Sequence, residues 1–96
     1  MKKNKQEKPK WFKGAWYNDG DLVTNPFSGE KYLLTGPELS MYDFIKGADY
    51  TLSVNAEKSG DFYIEDPAMV QLQKDMIKGL DWFRSENSKA YMVLLD

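Results

Sequence analysis

The chain reads as a mainly α, α+β domain: two principal amphipathic helices and a short C-terminal helix, with a small N-terminal β-hairpin. Three observations predict it. Helix-start signatures at Thr35 and Asp66 each lead into an apolar stripe of helical period, and two turn signals bracket short β-like segments before Leu34. A last apolar segment, 90–95, follows a break at Asn87-Ser88.

Residues 1–10, MKKNKQEKPK, are polar and show no apolar periodicity, which predicts a mobile basic arm ahead of a single globular domain over 11–96. Order is expected from Trp11, where WFKGAWY places four aromatics in seven residues, more apolar surface than water tolerates unless it docks on a core. Asn18-Asp19-Gly20-Asp21 and Asn25-Pro26-Phe27-Ser28-Gly29 are turn signals, the second with proline preset for a turn and glycine free to take positive φ. Leu22–Thr24 and Lys31–Leu34 between and after them make a hairpin over 22–34, which must pack on something because an isolated hairpin is marginal in water.

Thr35-Gly36-Pro37-Glu38 is a capping box, with Thr35 accepting from the Glu38 amide and Glu38 reaching back. Met41, Phe44, Ile45, Ala48 and Leu52 then form a helical stripe, widened by Leu39 and Tyr42. Gly47 interrupts this helix and points to a close approach by a neighbouring element; fraying is expected near Asn55, with a polar loop over 55–60. Phe62-Tyr63-Ile64 is long enough only for a third short strand. Asp66 as N-cap and Pro67 at the first helical position start the second helix, expected over about 67–86, with Met69, Leu72, Met76, Leu80 and Phe83 as its stripe. Composition would allow 90–95 to be a strand; the face shared by Tyr91, Leu94 and Leu95 favours a short helix capped by Asn87 or Ser88.

At 96 residues, 42% apolar and 15% aromatic, the chain is sized for one core and one domain. It contains neither cysteine nor histidine, which excludes disulfides, Cys/His zinc sites, thiol nucleophiles and imidazole bases together. No apolar run approaches the roughly 20 residues of a membrane span, and none follows the N-terminal lysines as in a signal peptide. A cytoplasmic protein without membrane association is expected. The net charge of −2 conceals an asymmetry: residues 1–13 carry +5 and the remainder −7.

Carboxylate chemistry lacks convergent pairs. Asp43 and Asp49, like Asp75 and Asp81, are six residues apart, some 120° off a common helix face. These residues read instead as solvated, with i,i+3 partners in Lys46 and Lys78. Asp19–Glu30 has Asp19, Asp21 and Glu30 at the first, third and twelfth places of a calcium loop, but Val23, Thr24 and Pro26 break that pattern, and hairpin turns explain the same residues. Phosphate-cradling glycine patterns and nucleophile motifs are missing, so no cofactor and no enzymatic activity are expected.

The expected function is that of a non-enzymatic accessory or adaptor domain binding another protein, or a second copy through Met69, Met76 and Phe83, which repeat every seven residues. The alternative is nucleic-acid binding by the arm. Lys2, Lys3, Lys5, Lys8, Lys10 and Lys13 would contact phosphates, while Trp11, Phe12, Trp16 and Tyr17 stack on unpaired bases.

The segments NPFSGEKYLLTGPELSMYDFIKGADY (25–50) and KGLDWFRSENSKAYMVLLD (78–96) resemble short uncharacterised proteins of marine bacteriophages and marine metagenomic sequences. The likeness lies in the NPF-x-GE turn, the L-T-x-x-E helix start, YDFIKGA and the GLDWF…AYMVLLD ending. It spans about half the chain and excludes the lysine arm. It implies a phage-encoded protein acting in the host cytoplasm and assigns no activity.

Overall fold

The computed structural model describes residues 6–59 and 66–95. Strands β1 (Asp21–Thr24) and β2 (Lys31–Leu34) form an antiparallel hairpin, followed by helices α1 (Gly36–Ser59), α2 (Pro67–Glu86) and α3 (Ser88–Leu94). This is the expected α+β architecture, hairpin first. The segment considered as a third strand, Phe62-Tyr63-Ile64, lies outside the described residues.

Each helix begins where its capping chemistry places it. The Thr35 hydroxyl accepts from the Glu38 amide at 3.2 Å while the Glu38 carboxylate accepts from the Thr35 amide at 3.0 Å, so the box is closed in both directions. Asp66 accepts from the Ala68 amide at 2.9 Å and Pro67 takes the first turn of α2. Asn87 alone separates α2 from α3. Its amide donates to the Phe83 carbonyl, closing one helix, while its side-chain oxygen accepts from the Ala90 amide, opening the next.

The core is one cluster in which Phe12, Leu34, Met41, Ile45, Phe83 and Leu94 are each at most 4% exposed. α1 packs along α2, and α3 closes against α2 and β2. The aromatic N-terminal segment docks as expected: Phe12 is walled by Trp11, Trp16 and Phe44, and Trp16 meets Trp82 edge to face at 5.7 Å. Docked contacts begin ahead of Trp11, because Gln6 bonds both Thr35 and Glu38.

Three sequence expectations need correction. α1 does not fray near Asn55 but continues to Ser59; Ala56, Glu57 and Lys58 lack an apolar stripe yet are good helix formers, and no glycine or proline falls between Asn55 and Gly60. Gly47 is exposed and a Cβ there would meet nothing, so it is not a point of close approach; Gly79 is, with Met41, Ile45 and Phe44 of α1 against it. The seven-residue series Met69, Met76, Phe83 is not a free dimer seam, because Phe83 is fully buried in the chain's own core beside Tyr42 and Met76 packs on that core.

Gly47→Ala is accordingly expected to stabilise the protein by about 0.5–1 kcal/mol, since alanine removes backbone freedom from the unfolded chain and encounters open space in the folded one. Denaturant unfolding with an unchanged m-value checks it.

Candidate functional site

Of the arm residues singled out in the sequence, Lys2, Lys3 and Lys5 lie outside the described residues. Lys8, Lys10 and Lys13 are exposed. Phe12, at 3% exposure, has no face left for a nucleotide base. Trp11 is half-buried against Phe12 and Phe44, and the Lys78 ammonium stands 5.9 Å from its ring centroid. Trp11, Lys13 and Lys78 thus meet at one groove of about 470 Å³, which Gln71 and Asp75 share. Asp75 lies 4.0 Å from Lys78 and also accepts from Gln71 at 3.0 Å, so a carboxylate sits beside the cation that a phosphate would need. Trp16 is half-buried against Trp82, away from these groove residues.

Tyr17 serves a different purpose. Its amide donates to the buried Ser40 hydroxyl at 2.7 Å and its phenol donates to Asp43 at 3.1 Å, fixing the aromatic segment to α1. Asp43, expected beside Lys46, is the partner of this phenol. The hydrogen bond and then the charge of Asp43 hold the Tyr17 pKa above 10, while burial and then Asp43 raise that of Tyr42. Phenols whose folded-state pKa exceeds the unfolded value contribute stability below about pH 10 and lose it as pH rises through the folded value. In an ultraviolet titration, Tyr17→Phe should remove phenolate absorbance that appears above pH 10.

The second site was not legible as such in the sequence and lies on the hairpin. Its loop is held by Asn25, whose side-chain oxygen accepts from the Phe27 and Ser28 amides at 2.8 and 3.3 Å, and Gly29 completes the turn at φ 79°. The Asn25 side-chain amide donates to the Val93 carbonyl at 2.9 Å, fastening the tip to α3. Side chains alternate across the hairpin. Val23, Tyr32 and Leu34 turn toward the core, whereas the directly paired Leu22 and Leu33 remain 53% and 69% exposed. Phe27, at the tip, is 94% exposed.

Behind the tip lies a cleft of about 300 Å³. Ile45, Met76, Leu80 and Leu94 give it an apolar floor, Pro26 and Phe27 stand at one wall, and Lys46 and Asp49 line it from α1. The hairpin was predictable from its turns; the outward Phe27 was signalled only by its place after Pro26 inside a turn, where a side chain has little chance to reach a core.

The Asp19–Glu30 window is this hairpin, with Asp21 opening β1 and Glu30 preceding β2. Among the described residues no group of three or more acidic side chains is placed to hold a metal ion, and no helix is long and apolar enough to cross a membrane. The fold and site define a small α+β domain that presents apolar side chains on an anchored hairpin. In comparisons with known proteins, no family model, no curated protein and no solved structure matches the chain.

Proposed function

We propose that the protein is a non-enzymatic accessory or adaptor domain that binds another protein through its hairpin. The observation that carries this reading is Phe27: a large apolar ring, 94% exposed, on a tip that Asn25 fastens to α3. An aromatic side chain on a backbone already fixed in place loses less freedom on binding than one on a loose loop, and such residues anchor protein interfaces. Leu22 and Leu33 extend the apolar surface along the same hairpin. The reading keeps the setting that the sequence resemblance implies, a phage-encoded protein in the host cytoplasm.

The test is a titration with a purified partner first captured by cross-linking through a photoreactive residue beside Phe27. Phe27→Ser and the pair Leu22→Ser, Leu33→Ser should each weaken binding by at least tenfold while circular dichroism stays unchanged. Binding that survives both sets of changes overturns the reading. Oligonucleotide binding that quenches Trp11 and weakens steeply with salt would transfer the function to the groove of Lys13 and Lys78.

A further inference from the structure

We infer that the hairpin surface also receives a second copy of this chain, each Phe27 seating in the other's cleft to form a two-fold dimer. This rests on the reading of Phe27 as a binding anchor and names one occupant for the space beside it. Size fits first: a cavity of about 150 Å³ takes a benzene ring, and the cleft behind the tip holds about 300 Å³ over an apolar floor. Placement is the second support. The protruding ring and the hole that would receive one lie side by side on a single surface, so a two-fold rotation pairs ring with hole twice and closes at two copies. A ring and hole on opposite sides of the molecule would instead build an open chain.

Charge is the third. Lys46 and Asp49 line the cleft, one turn apart on α1, and are the same two residues on each copy. Antiparallel apposition of the two α1 helices sets Lys46 of each copy against Asp49 of the other. The contact is thus self-complementary although residues 14–96 carry −7. Tyr50, 72% exposed and four residues after Lys46, adds apolar surface on the same side of α1. One ring, one tyrosine and a charge pair per copy are well below the roughly 800 Å² per partner of a standard interface, so the dimer is weak, with Kd on the order of 10–100 µM.

Sedimentation velocity on the full chain from about 5 to 500 µM tests it across that Kd range. The expected result is a monomer passing to a dimer without higher species. Phe27→Ala, at a site too exposed to affect folding, should weaken association about 100-fold because two rings leave each dimer. Lys46→Asp and Asp49→Lys should each weaken it, and the double reversal should restore it. A chain that stays monomeric throughout, or dimerises equally with Phe27→Ala, overturns the inference. Failure of the adaptor reading shows separately, as binding of the purified partner that survives both Phe27→Ser and the Leu22→Ser, Leu33→Ser pair.

Discussion

Glu38→Ala is expected to cost about 2–4 kcal/mol, a fall in melting temperature of about 10–25 °C for a domain of this size. The Glu38 side chain is 4% exposed and serves three donors, the nearby Thr35 amide and, from distant parts of the chain, the Gln6 side chain at 3.0 Å and the Asn87 side chain at 3.2 Å. Removing the carboxylate also removes the cost of burying it, so the loss is set by the donors left behind. Gln6 and Asn87 are partly exposed and can turn toward water; the Thr35 amide, fixed in the backbone at the start of α1, cannot. Differential scanning calorimetry checks the magnitude. Asn87→Ala, which keeps the α1 capping box but loses the α3 N-cap together with the tie to Glu38, should fall between wild type and Glu38→Ala.

Gly36→Ala is the second large effect, expected at about 3 kcal/mol or more. Residues 17–20 cross the start of α1 at backbone distance. A Cβ on Gly36 would run into the Tyr17 carbonyl and Asn18, and one on Gly20 would run into the Leu34 carbonyl. Both obstacles are backbone, which cannot rotate aside as a side chain can. The crossing also carries the Tyr17 amide bond to Ser40, so separating the segments breaks that bond as well. Gly20→Ala should cost a similar amount, and the double substitution less than the sum, since either one opens the same crossing. Chemical denaturation of the three variants reads this directly. Against a total stability of about 5–14 kcal/mol for this length, either substitution removes a substantial share.

What could be read from the sequence was local. The capping box, the Asp66-Pro67 start and the Asn87 break each act within four residues, and each appears where its residues place it. Apolar period was enough to find the stripes of α1 and α2 and to prefer a helix for α3. Period could not tell which glycine faces a neighbour, because that depends on how two helices lie together: Gly47 and Gly79 look alike in sequence and only Gly79 is enclosed. Phe83 shows the same limit, since a seven-residue apolar series describes a face without saying whether its own chain or another covers it. The ties of Gln6 to Glu38 and of Asn25 to Val93 span 32 and 68 residues, and no local pattern announces them. The candidate site was the least legible part, because an anchor for a partner is defined by what fails to be buried.

A single residue, Asn87, ends one helix and begins the next, and this makes the chain intolerant of length change there. Adding one residue between α2 and α3 would lengthen this one-residue joint by up to about 3.5 Å and shift α3 off its seat. Ala90 and Leu94 would leave the core, and the Val93 carbonyl would swing away from Asn25, freeing the hairpin tip that it now holds. Related chains that keep this fold should therefore vary freely in residue type along the outer face of α3 while holding the spacing from Phe83 to Leu94 constant.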